Sequence, residues 1–239
     1  MKKGTLILFV LMLISVVSNG QYSVAGLSMQ TDVHEWYDGQ IKRKNTSLVT
    51  GTYREVKKRI PDSHPFFISD KWIDGNLHYQ GQTFNHVSLL YDMEEDELIF
   101  RHPETFLFNL QPIKPIQPEI TWFTLEGHLF RYIHHSILGY KEGFFEIRYE
   151  GLQTSFLTKR IRSVVTDPDY KYANNDVNIL QVGSDYYKIK SRLIFYKLFK
   201  DSRKQIRLYI KQHQVRFKKE NDQNLDGLVQ YCDTIIANK

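Results

Sequence analysis

From Pro65 onward the chain is built of short runs in which apolar and polar residues alternate, and this alternation most narrows the folds open to it. Leu77 and Tyr79 alternate with His78 and Gln80, and Val87, Leu89 and Tyr91 resume the pattern after Gly81-Gln82. A period of two puts one set of side chains on one face, so each run predicts a strand with one apolar side. Turn signals separate the runs: Asp74-Gly75-Asn76, Gly81-Gln82, the acidic 92–96, Glu126-Gly127 and Glu150-Gly151. Connections this short join antiparallel strands, because a parallel return needs a crossover of a dozen residues or more. The expected strands are 66–68, 72–73, 77–80, 87–91, 97–101, 120–125, 128–133, 144–149, 152–165 and 185–190. Residues 166–178 read as a loop, and 21–50 as a loosely held arm with a first strand. The 15 Tyr and 15 Phe fall mostly within the alternation and suit strands.

Two segments break the pattern. Pro112, Pro115 and Pro118 recur every third residue, which opposes a regular strand and favours an extended, polyproline-like connection over the β core. An SH3-type ligand is the other reading of such spacing. After residue 191 the period lengthens: Phe195, Phe199, Ser202, Ile206, Tyr209, Ile210 and His213 share one helical face, with Asp201 or Ser202 placed to cap its second part. A second helix is expected near 222–236, with Leu225, Leu228, Val229, Cys232 and Ile236 at helical spacing. The fold class is therefore mainly β (α+β). It is an antiparallel β-meander, a curved sheet or half-barrel, followed by a C-terminal helical pair. The β domain spans 21–191, and the helical segment packed on it spans 192–239.

The N-terminus carries a different message. Lys2 and Lys3 precede an apolar run from 6 to 17, and Ser18 and Gly20 stand at the −3 and −1 positions of a cut before Gln21. That order defines a secretory signal peptide over 1–20, too short to span a bilayer, which takes about 20 apolar residues. No cysteine follows the run, so a lipoprotein anchor is not expected, and no later run suits a transmembrane segment. The expectation is an exported protein, in the periplasm or extracellular, without a lipid anchor. The single cysteine, Cys232, permits no intramolecular disulfide. It reads as a small buried hydrophobe and not as a nucleophile.

Charge is local. Residues 192–219 hold 10 Lys and Arg against 1 acid, while 21–191 hold 19 against 22. Within the basic stretch Arg203, Lys204, Arg207 and Lys211 are interleaved with aromatics, a pattern that can hold anionic lipid headgroups or polyanionic glycans. The alternative is a helix that packs its aromatic face and leaves its cations solvated. Nucleic acid fits the charge but is a poor partner for an exported chain.

Catalytic and metal motifs give little. No Gly-x-Ser-x-Gly elbow, Ser-x-x-Lys, phosphate-binding glycine loop or His-Glu-x-x-His occurs. Asp70 and Asp74 flank Trp72, as paired carboxylates do in glycosidases, yet any acidic turn beside a Trp reads the same. His78 and His86 lie on consecutive expected strands and can approach across a hairpin. His134-His135 are adjacent, so in a strand they point to opposite faces. Three Tyr-x-Gly phrases, at 37–39, 79–81 and 149–151, share their wording with MORN-type hairpin repeats, but their unequal spacings rule out a repeat array. No catalytic residue, metal site or cofactor is expected.

One run carries a family likeness: Phe67-x-x-x-x-Trp72-x-x-Gly75-x-Leu77-x-Tyr79-x-Gly81, then Val87-x-Leu89-Leu90-Tyr91-Asp92-x-x-x-Asp96-x-Leu98. It resembles uncharacterised exported β-rich proteins common in Bacteroidota, as does the C-terminal helix with Tyr231. The resemblance implies a Gram-negative periplasm or cell exterior, and implies no activity and no site residue. The leading expectation is an exported, non-enzymatic cell-envelope scaffold or binding protein with an envelope partner or a glycan or lipid ligand. The rivals are a small envelope hydrolase on the same fold and a carrier of an apolar ligand. A polar cleft gathering Asp70, Asp74 or histidines, or a large apolar cavity, would separate them.

Overall fold

The computed structural model describes residues 46–56, 60, 62–102, 110–166, 170–217 and 224–237. The expected signal peptide, the arm up to residue 45, and Lys218 and Lys219 lie outside them. In the order of the chain the strands are β1 (Thr52–Tyr53), β2 (Ile73–Tyr79), β3 (Gln82–Asp92), β4 (Glu97–Phe100), β5 (Ile113–Lys114), β6 (Ile120–Leu125), β7 (His128–Ile133), β8 (Gly143–Glu150), β9 (Thr154–Lys159), β10 (Arg162–Val165), β11 (Lys171–Asn174), β12 (Val177–Val182) and β13 (Asp185–Lys188). Three helices follow: α1 (Leu193–Leu198), α2 (Arg203–Gln212) and α3 (Leu225–Ala237).

Eleven strands pair into one open sheet in the order β1-β5-β4-β3-β2-β6-β7-β8-β9-β12-β13, and β10 and β11 form a separate ribbon. The pairings are antiparallel. The mainly β class with a helical C-terminus is thus realised, with one departure from a meander. After β5 the chain returns across the sheet to place β6 beside β2. The proline-spaced connection makes this return. Gln117 accepts from the Leu98 N–H at 2.7 Å and donates to the Leu98 carbonyl at 3.0 Å, and the Gln80 N–H donates to Glu119 O at 3.1 Å.

Several local expectations are corrected. Asp74-Gly75-Asn76 is no turn but the middle of β2, because Gly75 lets β6 approach where a Cβ would collide with the Thr124 carbonyl. The irregularity falls opposite, on β3, where an extra residue sits between the Gly75–Val87 and Leu77–Phe84 pairs and His86 takes φ 56°. The turn that joins β2 to β3 is centred on Gln80-Gly81, both at positive φ as a two-residue hairpin requires. Residues 66–68 form one bridge, Phe66 to Asp92, in place of a strand. Residues 46–50 hold a 3-10 turn, Ser47–Val49. Pro112 and Pro115 still admit a two-residue strand between them, with the Pro112 carbonyl accepting from the Arg54 N–H at 2.9 Å. The run 152–165 is two strands, because Asp176 takes the Ile161 N–H at 3.0 Å and turns the chain out of the sheet into β10. The expected loop 166–178 contains β11 and the start of β12. The first helix of the expected pair is broken at 199–202, giving α1 and α2.

Register fixes which core each strand faces. Phe144 and Glu146 alternate on one side of β8, Glu146 opposes Thr158 on β9, and Phe156 lies two residues before Thr158. These residues therefore share a face. On it lie two apolar clusters. One gathers Leu77, Tyr91, Phe123, Phe130 and Phe144 from β2 to β8. The other gathers Phe156 and Leu180 with Phe195, Ile206, Leu228 and Cys232 from the helices. The opposite face holds Phe145, Leu157 and Ile179. Phe123 stacks on Phe130 at 4.8 Å and meets Phe144 edge-on at 5.0 Å, the geometries aromatic quadrupoles favour.

Buried carboxylates lock this arrangement. The acidic segment 92–96 is the turn between β3 and β4, and Asp92 at its start is fully buried, holds the Glu94 and Glu95 N–H groups and pairs with Arg54 at 3.1 Å. Asp96 receives the Tyr91 hydroxyl at 2.6 Å and Lys159 at 2.5 Å, tying the β3–β4 turn to the end of β9. Burial raises the Asp96 pKa despite that lysine and its hydrogen bonds. Burial, with Asp96 beside it, pushes the Tyr91 phenol well above its ordinary range. Gly143, at φ 151°, leaves room for the Asp96 carboxylate. On α3, Asp233 accepts from the N–H groups of Leu152, Gln153 and Thr154 at 3.1, 2.8 and 2.7 Å, from the Thr154 hydroxyl at 3.1 Å and from the Tyr149 hydroxyl at 3.2 Å. Burial opposes its charge, but these donors win and its pKa is lowered.

Replacing Gly143 with Ala is expected to destabilise the fold by about 2 kcal/mol in denaturant titration, through strained φ and collision with Asp96. Asp233→Asn is expected to cost about 2–3 kcal/mol at neutral pH, since it puts amide hydrogens against backbone donors. A depressed carboxylate pKa contributes stability above its unfolded value and loses it as pH falls through the folded one. The gap between wild type and Asp233→Asn should therefore narrow below about pH 4 in melts across pH.

Candidate functional site

The cavity that best answers to a site lies where β7, β8 and the end of β9 meet the start of α3. It has a volume of about 350 Å³, and its wall includes His128, Leu129, Glu146, Arg148, Arg160 and Asp226. A local irregularity shapes it. The β8–β9 register shifts between Ile147 and Tyr149, so Arg148 has no opposing residue and stands as a bulge. Bulges re-aim side chains, and here the guanidinium lies over the Phe156 ring at 4.7 Å and donates to Asp226 on α3 at 2.8 Å.

Glu146 is the centre of the polar wall and is 3% exposed. It lies on the face shared by the two apolar clusters, a costly place for a charge unless it is paired. Arg160 pairs with one of its oxygens at 2.5 Å and with Asp176 at 2.7 Å. Burial works against the Arg160 charge, yet Glu146 and Asp176 outweigh it and raise its pKa. The other Glu146 oxygen meets His128 Nδ1 at 2.6 Å. A carboxylate held by an arginine can only accept, so Nδ1 carries the hydrogen of this contact. Phe67 meets the His128 ring edge-on at 5.1 Å. Asp226 Oδ2 is engaged by Arg148, while Oδ1 is buried without a hydrogen-bond partner among the described residues.

The second candidate is the surface named from sequence. Arg203, Lys204, Arg207 and Lys211 are all exposed on α2, which buries Ile206 and Ile210. At 3.6 residues per turn the four cations fall within about 100° of arc. Leu208, 59% exposed, lies at the edge of this stripe. Arg203 lies over the Tyr196 ring at 5.3 Å. Among the described residues no carboxylate lies within ion-pairing distance of the four.

The remaining sequence candidates are not brought together. Asp74, with its side chain 65% exposed, holds His86 Nδ1 at 2.8 Å. Asp70 lies outside the cavity wall. His78 bonds to Thr83 at 3.0 Å and stacks on Trp122 at 5.9 Å, so the two histidines take separate partners. His134 packs against Tyr132 at 4.9 Å and His135 against Tyr186 at 6.1 Å. Among the described residues no three His, Cys, Asp or Glu gather as metal ligands, and no helix is long and apolar enough to cross a membrane. The polar cavity residues were missed because they are isolated in sequence, spread over β7, β8, the end of β9 and α3. Their one sequence signal is the pair Glu146 and Arg148 within the otherwise apolar 144–149.

Compared with known proteins, the chain matches no family model, no curated protein and no solved structure.

Cys232 is buried in the helical cluster, and burial pushes its thiol up to about 12. The native protein should not react with a thiol reagent at about pH 8, and reactivity should appear only with unfolding, as read by absorbance during a denaturant titration.

Proposed function

We propose that this chain is an exported, non-enzymatic binding protein of the cell envelope that holds anionic groups on the exposed face of α2. The observation that carries the reading is the stripe of Arg203, Lys204, Arg207 and Lys211, cations with no carboxylate within reach among the described residues. Its helix is seated through Ile206 and Ile210, so the charges project from a fixed support. Each Lys or Arg near an anionic surface contributes about 1 kcal/mol. Four together favour attachment by about 4 kcal/mol, roughly a thousandfold. Phosphate-bearing lipid headgroups and polyanionic glycans share the chemistry that such a face recognises. Location in the periplasm or outside the cell, without a lipid anchor, is supported by the signal pattern of residues 1–20 and by the resemblance to exported Bacteroidota proteins.

The test is co-sedimentation of the mature protein with phosphatidylglycerol vesicles, with phosphatidylcholine vesicles as the neutral control and heparin as the soluble polyanion. Binding to the anionic vesicles or to heparin is expected, weakening steeply between about 0.05 M and 0.5 M salt as screening shortens the reach of each charge. Replacing the four cations with Gln should abolish it. No binding to either polyanion at low salt, or full binding by the fourfold variant, would overturn the reading.

A further inference from the structure

We infer that the anionic partner of α2 is a lipid bilayer surface, with Leu208 and Leu193 entering its headgroup layer beside the cations; this rests on the reading of α2 as an anion-binding face and narrows it to one partner. The exposed residues of α2 are the four cations, two glutamines and Leu208, so Leu208 is the one apolar side chain it presents to solvent. On a helix the neighbours of a residue are those three and four positions away. Leu208, 59% exposed, therefore lies between Lys204 and Lys211 along the stripe. The shorter helix α1 repeats the arrangement. Its Leu193, 65% exposed, follows Arg192 and lies one turn before Lys197, and both cations are exposed. The two helices meet where Arg203 covers the ring of Tyr196, one turn after Leu193.

Exposed leucines set among cations separate the two sources of anionic groups. A soluble glycan binds through charges and hydroxyls, and a leucine held against it stays beside water and gains little. A bilayer offers both chemistries in layers, phosphates outside and acyl chains within. Lysine and arginine stems are themselves apolar, so the side chains of Lys204, Arg207 and Lys211 lie along a sunken leucine and turn their charged ends back to the phosphates. No acid on α2 opposes the approach. The helix itself does not sink further, because Ile206 and Ile210 are already buried in the protein. Attachment is peripheral and shallow, with the leucine side chains alone passing the headgroups.

Two measurements on the mature protein test this. Replacing both leucines, Leu193→Gln with Leu208→Gln, should weaken binding to phosphatidylglycerol vesicles about tenfold, as partial transfer of two leucine side chains predicts, and leave heparin binding unchanged. The second measurement uses Leu208→Cys labelled with nitrobenzoxadiazole, which reacts at that position alone because the native cysteine, Cys232, is buried. Its fluorescence should rise on phosphatidylglycerol vesicles but not with heparin. A nitroxide near the head of the lipid acyl chain should quench it more than one near the chain end. Heparin binding without vesicle binding, equal vesicle binding by the double Gln variant, or a vesicle-bound label that neither nitroxide quenches would each overturn the inference and leave the anion-binding reading standing. Absence of binding to both polyanions would overturn that reading and this inference with it.

Discussion

The carboxylate of Asp233 takes hold of three successive backbone N–H groups at the β8–β9 turn, and much of the molecule's other geometry follows from that grip. Gly151 begins the turn, and the donors that follow it have no ladder partner of their own to face. A charged acceptor supplied from another element satisfies them together, and charge-assisted bonds of this kind are about twice as strong as neutral ones. The grip also sets the rotation of α3. Asp226 lies seven residues earlier, on the same side of the helix, and so comes down on the bulged Arg148. Leu228, Val229 and Cys232 then point into the cluster that also holds Phe156 and Leu180. One side chain thus defines how the helical layer sits and what closes the end of the cavity.

The placement of acids shows how charge is accommodated beside the apolar clusters of the sheet. Asp92, Asp96 and Glu146 are each met by a cation and by further donors, which is the condition under which a buried charge is tolerated. Removing one partner would strand the other, so these pairs act as registers more than as sources of net stability. The exposed pair of Arg131 with Glu150, at 2.8 Å, is of a different kind and contributes about 1 kcal/mol at most.

Most of the strands were legible because their residues alternate. His128–Ile133 and Ile120–Leu125 were read with their bounds, since Glu126-Gly127 is an unambiguous hairpin turn and both flanks are half apolar. β11 was not legible: Lys171-Tyr172-Ala173-Asn174 belongs to a two-stranded ribbon with no fully buried residue, so nothing selects a period. Gly75 misled, because a glycine that admits a neighbouring strand is spelled like one that turns the chain. The exposed cations of α2 could be named from composition, whereas the cavity could not. His128 and Asp226 are separated by 98 positions, and only the β7–β8 register and the Asp233 grip bring them to one wall.

The return of the chain from β5 to β6 divides the sheet in two. On one side β2, β3 and β4 are joined by tight turns, and on the other β6, β7, β8 and β9 follow one another in sequence, with β7 and β8 linked through residues 134–142. Each half closes through neighbours in sequence, which forms quickly. The seam between them is different: Leu77 meets Phe123 and His78 meets Trp122 only after the intervening loop has closed. The same delay applies to β1, which waits for β5. The topology therefore requires two locally connected groups of strands to be joined along one edge each. Until they join, both the β2 and β6 edges expose unpaired backbone, so the interval before docking is when the chain is most open to pairing with another copy of itself.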